Sequence, residues 1–164
     1  MKTLYMIGGT MGVGKTTVCQ HLKRELANSV FLDGDWCWDA DPFQVTDETK
    51  TMVIDNICYL LNSFLKCSAY ENIIFCWVMH EQGIINTILE RLYTENCFLK
   101  CVSLTVSPRI LRDRLSRDIE RGIRSADIIE RSASRIPMYP ALNTIKIDTD
   151  GKTADMIARE IQKL

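Results

Sequence analysis

No apolar run in the 164 residues is long enough to span a bilayer, and the start, Met1-Lys2-Thr3, leads directly into an apolar segment with no signal-peptide pattern. No charge of either sign dominates. The net charge is −1, which excludes a broad nucleic-acid or membrane-binding surface as the first expectation. No Cys-x-x-Cys occurs among the seven cysteines, and their number is odd. That excludes a disulfide framework or a zinc ribbon and implies reduced, mostly buried thiols in a cytoplasmic protein. From Glu25 through Glu90 there is not one arginine; Lys50 and Lys66 are the only lysines there. Asn-Lys-x-Asp is also missing, and no internal repeat or linker divides the chain.

What remains is a chain of ordinary globular composition, 46% hydrophobic and 25% charged, long enough for one domain with a real core. Apolar segments and helical patterns alternate along it. Strands are expected at 4–7, 30–32, 73–78, 99–106 and 145–147. Helices are expected at 14–27, from a Thr46 cap onward, at 84–93, 108–121 and 153–164, with a further helical segment at 126–135. Strands joined by helical crossovers predict an α/β fold: a three-layer, doubly wound parallel sheet of five strands. Ligands of such sheets sit beyond the C-terminal strand ends.

Residues 9–17 read Gly-Thr-Met-Gly-Val-Gly-Lys-Thr-Thr, between the first strand and the first helix. Gly-x4-Gly-Lys-Thr in that context is a phosphate loop. Its glycines let the backbone N–H groups of Gly9, Met11, Gly12, Val13, Gly14, Thr16 and Thr17 face a polyphosphate, helped by the helix N-terminus. Lys15 is expected to reach the β- and γ-phosphates, and the Thr16 hydroxyl to ligate Mg²⁺. Two acids follow the second strand, Asp33 and Asp35, separated by Gly34. A phosphoryl transferase needs one acid near the metal and one near the attacking hydroxyl. Asp33 is assigned to the first job and Asp35 to the second; the alternative is a plain Asp-Gly turn.

Arg114, Arg117, Arg121 and Arg124 recur at intervals of three, four and three, one stripe on a helix. Facing the nucleotide, such a stripe neutralises charge on a transferring phosphoryl group. Arg121 and Arg124, flanking Gly122, are the expected phosphate contacts. The alternative is a solvated face paired internally, Asp113 with Arg117 and Glu120 with Arg124. The loop after the last strand, with Asp150, is expected to flank the base. An acceptor pocket is expected from the arginine-free segment, where Trp36, Trp38 and His80 join Asp35. Without arginine, a phosphorylated acceptor is disfavoured. Trp77, inside an apolar strand, reads as core.

Leu32-Asp33-Gly34-Asp35 resembles the motif of gluconate and adenylylsulfate kinases, and the Asp-x-Asp of shikimate kinases. Residues 107–118 resemble the start of the shikimate kinase lid, and the segment from the fourth strand onward is similar to tunicamycin-resistance proteins, close to chloramphenicol phosphotransferases. Residues 77–81 depart from the Gly-rich segment of shikimate kinases. The resemblance implies a phosphate-loop nucleoside triphosphate hydrolase fold of the nucleotide/shikimate kinase type. It implies a single domain over 1–164 with a helical lid at about 114–140, and Arg114 against adenine. The expected activity is a kinase moving the γ-phosphoryl of Mg²⁺·ATP to a hydroxyl of a small, non-phosphorylated acceptor. Its partners would then be a nucleoside triphosphate and that acceptor, with neither nucleic acid nor membrane involved. Two alternatives stay open: a nucleotide-binding sensor or resistance module without turnover, and a nucleoside-monophosphate kinase.

Overall fold

The computed structural model describes residues 1–164. Five strands form one parallel sheet: β1 (Lys2–Gly8), β2 (Ser29–Asp33), β3 (Asn72–Trp77), β4 (Cys97–Thr105) and β5 (Ile145–Asp148). Their spatial order is β2-β3-β1-β4-β5, so β1 lies at the centre and the chain reverses direction of travel on either side of it. Gly8 is in register with Trp77 of β3 and Ser103 of β4, which puts the loop after β1 at the switch point where ligands of such sheets bind.

The central strand reads Leu-Tyr-Met-Ile without polar interruption because both of its faces are covered. Alternation sends Tyr5 and Ile7 to one side and Leu4 and Met6 to the other. Tyr5 and Ile7 meet helices α1 (Lys15–Glu25), α4 (Pro108–Glu120) and α6 (Ala154–Gln162) through Val18, Leu22, Leu111 and Ile157. Leu4 and Met6 meet α2 (Asp47–Lys66) and α3 (Gln82–Glu90) through Val53, Ile57, Leu61 and Ile88. These two buried clusters are the two core layers.

Local signals set the boundaries. Thr46 accepts the Thr49 N–H at 3.1 Å while Thr49 Oγ1 accepts the Thr46 N–H at 2.8 Å, a reciprocal cap of the kind that contributes about 1 kcal/mol. Pro108 opens α4, where a missing N–H costs nothing. The segment expected to be helical over 126–135 is shorter: α5 spans Ile128–Ala133, and a 3-10 turn, Ile136–Ala141, takes in Pro137 and Pro140. A second 3-10 turn, Gly34–Cys37, directly follows β2, where the sequence suggested only a loop. Of the cysteines, Cys19, Cys58 and Cys76 are buried and Cys67 is exposed, so fewer are interior than expected; all seven are free. No helix is long and apolar enough to cross a membrane.

Candidate active site

Between β1 and α1 the backbone curls tightly, and α4 lies against the curl. A side chain at Gly12 would put its Cβ 2.6 Å from Leu115 and 3.2 Å from Leu111, so only glycine lets the helix come this close. Arg114 of α4 donates to the carbonyl of Val13 at 3.1 Å and to Thr149, in the loop after β5, at 3.4 Å. The loop is thus gripped from outside by the helix that carries the arginines.

Thr16 opens the chemistry of the inner side. Its hydroxyl donates to Asp33 Oδ2 at 2.6 Å, and Asp33 Oδ1 accepts the backbone N–H of Asp35 at 3.1 Å. Asp33 is only 5% exposed, at the end of β2. A buried carboxylate with both oxygens engaged is a fixed group, and Thr16 Oγ1 with Asp33 presents the hard oxygen donors that suit Mg²⁺. The half-buried Lys15 turns its ammonium back to the carbonyl of Thr10 at 3.1 Å. Desolvation lowers its pKa, and the carboxylates of Asp35 and Asp33 oppose that effect.

Asp35 opens to the solvent of the cleft, yet its carboxylate is enclosed on the protein side. That enclosure raises its pKa, and the Asp33 charge raises it further. Lys15, a polar contact from the Trp77 indole and the Arg124 charge pull the other way. Trp77 packs against the core layer of α2 and α3, as the sequence suggests, and lines no part of the cleft. It is half-buried against the turn after β2, where a Cβ on Gly34 would come within 2.5 Å of its ring. Gly34 is therefore glycine because the indole occupies the space beneath it.

A cleft of about 350 Å³ joins these parts. Gly12, Gly14, Lys15, Thr16, Thr17 and Asp35 form one side, with Met11 at the edge; Arg114, Arg117, Arg121 and Arg124 form the other. All four arginines of the stripe face it. The pairs of the solvated-face alternative do not form. Arg117 Nε bonds the Asp113 carbonyl, not its carboxylate, and Arg124 pairs with Asp118 at 3.2 Å, not with Glu120. Asp118 also lines the cleft, a residue the sequence reading passed over.

Other expected site residues stand elsewhere. Gly9 and Val13 belong to the loop but not to the cleft wall; Val13 is buried in the core. Asp150 accepts the N–H of Ser107 at 3.0 Å, at the start of α4, and is not among the cleft residues. Burial would raise its pKa, but the bonds from Ser107 and the charges of Arg114 and Arg109 hold it below the usual carboxylate range. Trp36 is 57% exposed and meets Phe31 edge-on; Trp38 stacks on Phe43 at 4.3 Å. Both lie outside the cleft. His80 sits beyond β3, next to Met79, whose φ of 38 is unusual for a residue with a side chain. Its Nε2 is 3.4 Å from Glu81, and its Nδ1 is buried with no partner. Burial and the nearby Arg135 both lower its pKa, which keeps the imidazole neutral at pH 7. Arg135 forms no ion pair. It lies between α5 and the 3-10 turn, so the segment without arginine acquires one through the fold.

A family model for the AAA domain matches residues 6–136. The chain is similar to a shikimate kinase of Bacillus cytotoxicus, 28% identical over 170 residues that cover 98% of this chain and 96% of that one. Among solved structures, a sugar kinase from Janibacter aligns with a TM-score of 0.76 at 13% identity, over 99% of this chain and 94% of that one. The APS kinase of Mycobacterium tuberculosis, solved with AMPPNP and APS, aligns with a TM-score of 0.67 at 11% identity, over 99% and 96%. The sheet order, the curled loop after β1 and the matched residues together place this chain in the AAA-domain family, on the fold of the phosphate-loop kinases.

Proposed function

We propose that the chain, as one domain with a lid over about 114–140, is a phosphotransferase that moves the γ-phosphoryl group of ATP to a hydroxyl of a small organic acceptor. One observation carries this reading: a single cleft holds Lys15 and four arginines for the phosphates and the Asp35 carboxylate for the acceptor. A binding module without turnover would need the cations but has no use for the acid. The solved APS kinase with AMPPNP supports an adenine nucleotide as the donor.

In this reading, the Thr16 hydroxyl and, through a water, Asp33 would hold Mg²⁺, which when bound would offset the charge of the phosphate oxygens. Backbone N–H groups of residues 9–17 cradle the phosphates, and Lys15 leaves the Thr10 carbonyl for the β- and γ-oxygens. Arg121 and Arg124, with Arg117, stabilise charge on the transferring group. Arg114 stays on Val13 and Thr149, where it supports the loop and borders the base. Asp35 accepts the proton of the acceptor hydroxyl. The hydroxyl oxygen then bonds the γ-phosphorus, the bond to the β–γ bridging oxygen breaks, and ADP leaves. The acceptor side extends from Asp35 towards His80, with Trp36 and Trp38 outside the cleft. Arg135 gives it one cation, enough for one acidic group, as in the relative that bears the name shikimate kinase.

The test is ADP release in the presence of sugars, hydroxy acids, nucleosides and antibiotics. A hit should be lost in Lys15→Met and in Asp35→Asn. Full turnover by Asp35→Asn would remove the proposed base. ATP binding with no ADP released in the presence of any acceptor over hours would favour the binding module.

A further inference from the structure

Thr10 is a loop residue whose side chain the phosphotransferase reading leaves without a task. It is 1% exposed, and its side chain does not face the cleft. The hydroxyl donates instead to the backbone carbonyl of Ser132, in α5, at 2.7 Å, across 122 positions of sequence. The same Thr10 accepts the Lys15 ammonium on its own carbonyl at 3.1 Å. The Ser132 carbonyl also receives the Arg135 N–H at 3.3 Å. One buried hydrogen bond thus links the loop residue that holds the Lys15 ammonium to the backbone turn from which Arg135 projects.

The rest of the lid is already fastened. α4 is held by Leu111 and Leu115 against Gly12 and by Arg114 on Val13. Arg112 of α4 pairs with Glu130 of α5 at 2.6 Å, but both side chains are substantially exposed, so that pair is weak and screened by salt. The polar tie of α5 to the phosphate loop that is shielded from water is the one made by Thr10. Ile128 supplies apolar contact but no direction. A hydrogen bond fixes register where an apolar contact allows sliding.

The geometry points to Thr10 as a positioning residue: its hydroxyl latches the end of the lid to the phosphate loop, and thereby sets where Arg135 stands relative to Lys15. This rests on the phosphotransferase reading for its purpose but not for its test. Gly12 and Lys15 serve ligands through the cleft; Thr10 serves by facing away from it. Ser132, wholly buried with its own hydroxyl unpartnered, marks how closely the two elements are pressed together.

Amide hydrogen exchange on the intact protein tests the latch without any acceptor. In Thr10→Val, exchange over 122–135 should rise about tenfold, as for a segment whose local opening has become easier, while β4, β5 and α6 stay within about twofold of wild type. Thr10→Ser, which keeps the hydroxyl, should restore the wild-type pattern. If Thr10→Val does not fold, Thr10→Ala is read by the same criterion. Unchanged exchange over 122–135, a rise spread evenly over the sheet, or Thr10→Ser behaving like Thr10→Val would each overturn the inference. Added Mg·AMPPNP separates the two readings. Failure of wild type to bind it removes the proposed function and leaves the latch result standing. Where turnover is measurable, Thr10→Val should lower kcat with the nucleotide KM within about twofold of wild type, and equal loss in both would count against a positioning role.

Discussion

Arg124 donates its Nε–H to the Asp118 carboxylate at 3.2 Å, which leaves both Nη groups of the guanidinium for another anion. Both residues line the cleft, each with about a third of its side chain exposed. A carboxylate in a phosphate cleft is costly unless it has a use, and here it holds a flexible cation by one edge so that the other edge points inward. Removing it therefore has two effects of opposite sign. Asp118→Ala takes a negative charge out of the cleft, so Mg·AMPPNP should bind a few-fold tighter. It also frees Arg124, so turnover should fall, by up to about 100-fold if the guanidinium is misplaced by an ångström. Calorimetry and ADP release check the two signs. Simple structural damage would worsen both.

The Thr16–Asp33 bond at 2.6 Å leads to a prediction about the ion. Thr16→Ala leaves one oxygen of a carboxylate that is 5% exposed without its partner, a loss of about 1–3 kcal/mol to the fold. It also removes a donor atom from the Mg²⁺ position. A titration of turnover against Mg²⁺ should show a higher midpoint in Thr16→Ala than in Thr16→Ser. An unchanged midpoint would mean that the ion does not use this hydroxyl.

Gly34 tests how Asp35 is positioned. Gly34→Ala would drive a methyl to within 2.5 Å of the Trp77 ring, in a turn whose next residue is Asp35. Overpacking of this kind costs about 1–3 kcal/mol, because the indole is packed against the core layer of α2 and α3. Urea unfolding should show the loss, and Trp77→Leu in the Gly34→Ala background should recover part of it. Independent, additive losses would mean that the two residues do not press on one another.

These residues also show what a sequence does and does not disclose. The loop, the Asp pair and the arginine stripe were readable because each is local: a spacing within one turn or one helix fixes which atoms are neighbours. The Thr46 cap was readable for the same reason. That the strands form one parallel sheet followed from their alternation with helices; their spatial order did not. Trp77 was readable as core from its apolar neighbours, but not its close approach to Gly34, in a turn over 40 residues earlier. Arg135 and Thr10 were invisible as site residues, since their roles come from contacts that only the folded lid creates. The acceptor aromatics were the reverse case. Trp36 and Trp38 looked like pocket residues by composition, and the structure sends them outside the cleft, onto Phe31 and Phe43.

Acidity gives the last prediction. Enclosure and the charge of Asp33 raise the pKa of Asp35, and Lys15, Trp77 and Arg124 only partly offset this. A base works in its deprotonated form, so activity should be lost as pH falls through that raised pKa. The acid limb of kcat/KM should therefore lie above the usual aspartate value of ~3.9. Trp77→Phe removes one of the lowering contacts and should move the limb further towards neutral pH. Asp33→Asn removes the neighbouring charge and should move it back, at reduced overall rate because the metal position is lost as well. A limb that stays put in both variants would show that the titrating group is not Asp35. A limb that moves in the same direction in both would show that the fields of Trp77 and Asp33 do not act on it as the geometry requires.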